Sequence, residues 1–271
     1  MTAYLRRILF SLAVLAWGAA LLYFYASGRI NVYLAPDFHL IALAGGLGLV
    51  ILGGFNLATA GESADCGHDH GCDETGHDHE SSDIHPLLAL LIMVVPLGLS
   101  IAWTEDSFSG SALNRKGLYD APGTLTASML GQKLPEISRE EIEKTHTRTP
   151  DGFYEFNLME LYFSAGEREL QSALEGLAVE TQGRWMDEKV NNAAGTRKRL
   201  YRLFMTCCVA DSRAIPIILE FNGTPPDHPE NEWVKVAGVM RFPLEDGIIQ
   251  PVLEVERSAV APPPFEETFL R

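Results

Sequence analysis

The stretch CGHDHGCDETGHDHE, running from Cys66 to Glu80, carries six soft or borderline metal ligands: Cys66, His68, His70, Cys72, His77 and His79. His-x-His occurs twice, at 68/70 and 77/79. Zinc in proteins takes four nitrogen or sulfur ligands, so these side chains fill one site and part of another. Two thiols favour zinc or Cu(I) over harder cations. Asp69, Asp73, Glu74, Asp78 and Glu80 add negative charge and spare oxygens. Nothing in the loop gives it a scaffold, so it is expected to organise on the metal, with zinc as the loop-bound ion. A flexible acidic connector with incidental histidines is the competing reading, and the ligand density argues against it. Such a loop can gather, buffer or sense metal without lying on a transport path.

A second group lies in MTCCVAD, with Cys207, Cys208 and Asp211, at the end of a predicted strand. Neighbouring side chains on a strand point to opposite faces. One cysteine is therefore expected to be buried and inert. The other is expected to be accessible near Asp211, as a thiol or metal site. The plainer reading is two small apolar residues. A disulfide between adjacent cysteines closes a small ring that a regular strand does not supply, so none is expected. His39 and His85 fall at the edges of apolar segments, and His146 and His228 in polar loops, where solvation is the expectation. There is no Gly-x-Ser-x-Gly, no His-Glu-x-x-His and no phosphate-binding glycine loop, and the chain does not read as an enzyme.

The elements that must carry these groups differ between the two ends of the chain. Ile8 to Ala26 is uncharged, follows Arg6 and Arg7, and ends in Tyr23, Phe24 and Tyr25, as a retained anchor with an interfacial aromatic belt would. His39 to Ala60 is a second predicted span. In it Ala42 with Gly46, and Ala44 with Gly48, put small residues four apart, either for a foreign membrane helix or for the chain's own first span. Pro86 to Trp103 is a third, short and interrupted by Pro96. The membrane region is thus residues 1–103, with the His/Cys loop at 61–85. Residues 104–150 read as a linker and a short helix, opened by a capping box from Ser138 to Glu141.

Residues 151–271 read as a soluble α+β domain. Asn157 to Leu174 carries an approximate helical stripe, weakened at Gly166. Strands are predicted at Leu177–Trp185, Arg199–Val209, Ile215–Phe221, Trp233–Arg241 and Pro251–Ala259. Five short strands in so few residues suggest a small barrel of the OB type. The net charge of −15 over 271 residues argues against nucleic-acid binding, which requires clustered Lys and Arg. Four cysteines, in two pairs, are too few for a disulfide scaffold.

Several of these stretches resemble a family of uncharacterised bacterial membrane proteins described as a permease subunit. The resemblance is carried by Cys207-Cys208-Val209-Ala210-Asp211 followed by IPIILEF, by WVKVAGVMRF and by PVLEVERSAVAPPPFEETFLR. INVYLAPDFHLIALAG and the EDS…RKG segment are also similar. The region Phe156–Leu174 matches poorly, and Ser212 stands where members often carry a small apolar residue. The resemblance implies a multi-span permease as partner, a place in the cell (inner) membrane and a C-terminal domain outside the cytoplasm.

The expectation is therefore a membrane-anchored accessory subunit of a permease, handling a divalent transition metal such as zinc. Two alternatives belong to other classes. One is an extracytoplasmic OB-like module binding a ligand or partner, whose His loop only buffers metal. The other is a thiol redox protein using Cys207 and Cys208.

Overall fold

The computed structural model describes residues 3–61, 85–103, 109–120, 138–264 and 269–270. The chain forms two compact units, Met1–Asp106 and Ser107–Arg271.

The first unit is helical: α1 (Ala3–Ala26), α2 (Ile30–Tyr33), α3 (His39–Ala58) and α4 (Pro86–Ala102). Tyr4–Ala26 and Pro36–Ala58 are each 23 residues long with mean hydropathy 2.0, long and apolar enough to cross a membrane. A helix rises about 1.5 Å per residue, so each reaches about 35 Å, enough for a hydrocarbon core about 30 Å thick. The predicted third span is the shorter 17-residue α4. Its Pro86 lies in the first turn, where a missing N–H costs nothing, and Pro96 lies inside it. Arg29 ties the end of α1 to that of α4 by donating to the Ile101 carbonyl at 2.5 Å.

The glycines of α3 divide between two sides. A Cβ on Gly46 would sit 3.1 Å from Leu21 of α1, and one on Gly53 would sit 2.8 Å from Leu15. Here the small residues serve packing against the chain's own first span. Gly45, Gly48 and Gly54 have nothing within 4 Å of a would-be Cβ. Leu40, Ile41, Ile51 and Phe55 are also exposed on α3.

The second unit starts earlier than the sequence suggests. Helix α5 (Gly110–Arg115) and the turn after it lie where a linker was expected, yet Leu113 and Leu118 are fully buried. The anchor is a buried ion pair: Arg199 Nη2 lies 2.6 Å from Glu188 Oε2, and Arg199 also donates to the Leu118 carbonyl. Glu188 Oε1 takes the N–H groups of Lys189 and Val190 at 2.8 Å each, so the buried carboxylate is well satisfied.

Next come α6 (Arg139–Thr145), β1 (Tyr154–Glu155), α7 (Leu158–Ser164) and α8 (Arg168–Leu174). The single helix expected over 157–174 is two. Asn157 caps α7 in a full capping box with Glu160, and the break falls at Gly166. Then follow β2 (Ala178–Asp187), β3 (Arg197–Phe204), β4 (Arg213–Phe221), β5 (Trp233–Arg241), β6 (Leu244–Glu245), β7 (Ile248–Ile249), β8 (Val252–Val260) and β9 (Phe269–Leu270). The five expected strands are present and close into a barrel. The sheet order is β1-β2-β5-β8-β4-β3-β9, and the added β2–β3 pairing closes its five central strands into a ring. All pairs around the ring are antiparallel except β4 with β8.

Inside lie Trp185, Leu200, Ile217, Val234, Val236 and Leu253, with Leu158, Leu161 and Leu174 of the two helices packed into the same core. The barrel bends at glycines. A Cβ on Gly183 would meet Leu200 at 2.8 Å, and the register shift in β5 falls between Ala237 and Gly238. Two histidines expected to be solvated are packed instead. His146 stacks on Phe156 at 4.1 Å between ring centroids, and His228 meets Trp185 edge-on at 4.9 Å.

Candidate metal centre

Strand β3 ends at Phe204, five residues short of the predicted boundary, and the chain does not carry Cys207 and Cys208 on a regular strand. It curls into a 3-10 turn, Val209–Asp211, before β4. The cause is Asp211. One of its carboxylate oxygens accepts from the Cys207 N–H at 2.9 Å and the other from the Cys208 N–H at 3.2 Å. In return the Cys208 sulfur accepts from the Asp211 N–H. Short polar side chains that bond nearby backbone compete with strand ladders in this way. Ser212 Oγ closes the turn by donating to the Val209 carbonyl at 2.7 Å.

The turn is held from outside by Lys116, which follows α5. Its ammonium donates to the Val209 carbonyl at 2.7 Å and the Ser212 carbonyl at 3.5 Å. Its own carbonyl accepts from the Ala214 N–H at 2.8 Å. Sequence reasoning missed Lys116, because no pattern links it to a turn more than ninety residues away.

The expectation of one buried and one accessible cysteine is corrected. Both are free thiols, and both are partly exposed. The turn puts them on the same side, and their sulfurs and an Asp211 oxygen lie within 4.8 Å of one another. A soft or borderline divalent ion accepts this donor set, and a hard ion that wants only oxygen does not. Cys66, His68, His70, Cys72, His77 and His79 lie outside the described residues.

The two sulfurs are not equivalent. Cys207 hydrogen-bonds to Asp211 and Cys208, and these contacts push its thiol up to about 11. Cys208 is pulled below the ordinary thiol range, first by the Ala210 backbone N–H, then by the Cys207 thiol and the Asp211 N–H. Burial pushes Asp211 up, but the Cys207 thiol and the backbone N–H groups of residues 206 to 208 outweigh it and hold the carboxyl below its usual range. Burial lowers Lys116, against the opposing pull of Asp211. Thiolate is the reactive form, so Cys208 is expected to alkylate at least about tenfold faster than Cys207. Peptide mass spectrometry after brief iodoacetamide treatment at neutral pH, without reductant, measures this. Equal rates would mean that the turn does not polarise the pair.

Residues 9–119 match the DUF1980 N-terminal domain, and residues 169–267 match the DUF1980 C-terminal domain. The chain carries both DUF1980 domains. Cys207, Cys208 and Asp211 fall in the DUF1980 C-terminal match, whereas Lys116 falls in the last residues of the N-terminal match. The turn is thus braced by a residue from the other DUF1980 match, although both lie in one compact unit. No curated protein matches the chain.

Proposed function

We propose that this DUF1980 protein is a membrane-anchored, non-catalytic accessory subunit of a permease handling a divalent transition metal such as zinc. The observation that carries the reading is the Cys207–Cys208–Asp211 donor cluster, in a chain that also has membrane-length helices and a six-ligand loop. In the proposal the loop collects or senses metal and the barrel unit docks on the permease or hands metal over. The ring order β2-β3-β4-β8-β5, with its parallel β4–β8 pair, supports reading the barrel as OB-like. The open side of α3, with Gly45, Gly48 and Gly54 beside exposed apolar side chains, supports a membrane partner, be it lipid or a helix of the permease.

We assign the protein to the inner membrane, with three spans, the loop in the cytoplasm and the C-terminal unit outside it. Arg6 and Arg7 before the first span support a cytoplasmic N-terminus. The test is cell-associated zinc in cells whose only copy lacks the six loop ligands and both turn thiols. A changed zinc content is expected. Unchanged content at several external zinc concentrations, with the variant present in the membrane at normal level, would contradict the role.

A further inference from the structure

We infer that the turn takes one thiophilic divalent cation, bound by both sulfurs and one Asp211 oxygen with a further position open. The inference rests on the metal-handling role proposed above and names the class of ion and the kind of site. A carboxylate offers about four acceptor positions. Asp211 accepts the backbone N–H groups of Cys207 and Cys208, one on each oxygen, so lone pairs remain for a further ligand while the turn stays closed. Both sulfurs and an Asp211 oxygen lie within 4.8 Å of one another, so the three donors converge on a point between them. An ion placed there keeps every backbone hydrogen bond and needs no refolding.

Charge selects the ion. Two thiolates and a carboxylate carry three negative charges. A divalent cation leaves one, and the Lys116 ammonium, bonded to the Val209 carbonyl of the same turn, offsets it. A monovalent ion leaves the complex more negative. Sulfur donors exclude magnesium and calcium. Ligation releases the proton of each protonated thiol to water, so at most two protons leave per ion bound and no electrons move. Three protein donors are one fewer than a closed structural zinc site uses, and an open position is what ligand exchange requires. The site therefore suits an ion in transit, passed to or from a donor on another group.

The experiment uses the full chain in detergent, with the loop ligands removed (Cys66→Ser, Cys72→Ser and His68, His70, His77 and His79→Ala). Cadmium is added alone as a thiophilic divalent probe, and its thiolate charge-transfer band is followed in the ultraviolet. About one equivalent should bind, unaffected by excess calcium. Cys207→Ser keeps a donor for Asp211 and should preserve the turn, yet weaken binding by at least about tenfold, since even outer-sphere changes cost roughly 10–100-fold. Cys208→Ser should do the same. A second measurement needs no thiol variant: zinc should protect both Cys207 and Cys208 from alkylation. Absence of the band, its persistence in both serine variants, or alkylation indifferent to zinc would overturn the inference. If cadmium binds as stated while cellular zinc ignores loss of the loop ligands and both thiols, the site stands and the permease reading falls. If cellular zinc depends on the chain but the turn binds no cadmium, the site falls and the permease reading survives.

Discussion

Zinc binding by the full chain is expected to lose its major component when His68, His70, His77 and His79 are replaced with Ala. Six nitrogen and sulfur ligands in the loop support about one or two zinc ions, the second completed by carboxylate or water. Removing four imidazoles leaves Cys66 and Cys72, too few for a zinc site of ordinary affinity. Only the weaker, three-donor turn should then remain. The same component should fade in the intact chain as pH falls through about 6.5, because a protonated imidazole cannot ligate. A competition titration against a chromophoric chelator measures both effects. Unchanged zinc binding in the quadruple variant would make the loop a connector and nothing more.

A Gly238→Ala chain is expected to lose roughly 3 kcal/mol of stability or more in the barrel unit, at the upper end of what overpacking costs. Gly238 sits at the irregularity between β5 and β8, where a Cβ would lie 2.0 Å from the Glu254 carbonyl oxygen and 3.0 Å from the Val255 Cα. Both are backbone atoms of a paired strand, so no flexible side chain can move aside. The strands must separate locally, next to Met240 and Leu253, which are fully buried. Gly45→Ala on α3 is the control, with open space at the Cβ and no expected loss. Urea unfolding of the full chain in detergent, read from the buried Trp185, measures the difference. Equal midpoints for the two variants would mean that β5 and β8 do not meet as described.

The barrel was legible in the sequence because its strands obey local rules. The sequence pattern places Trp233–Arg241 at its observed boundaries, and the other four barrel strands within a few residues at most ends. The boundary that failed is the informative one. Met205 to Val209 is as strand-prone as what precedes it, so composition carried the second strand through the cysteines. The Asp211 carboxylate decides otherwise by capturing the N–H groups of Cys207 and Cys208. That capture turns a one-in, one-out pair into two sulfurs on one side, the difference between a core feature and a donor set.

The strap around α5 was hidden for another reason. Gly110 and Ser111 read as linker, and Leu113 and Leu118 acquire meaning only through Arg199, which reaches the Leu118 carbonyl from a strand some eighty residues later. Lys116 is the same case. Such contacts leave no periodicity to detect. The break in the 157–174 helix lay closer to hand, since Gly166 already weakened the stripe and the Asn157 cap fixes where α7 begins.

This chain is proposed to work in the membrane beside a permease and to carry metal there. Affinity purification of the tagged full chain from membranes, with metal analysis of the eluate, tests it most directly. The account predicts that a multi-span permease co-elutes and that zinc is present in at least about equimolar amount, falling when the loop ligands and turn thiols are removed. A chain that elutes alone, with zinc no higher than in the ligand-free variant, would contradict it.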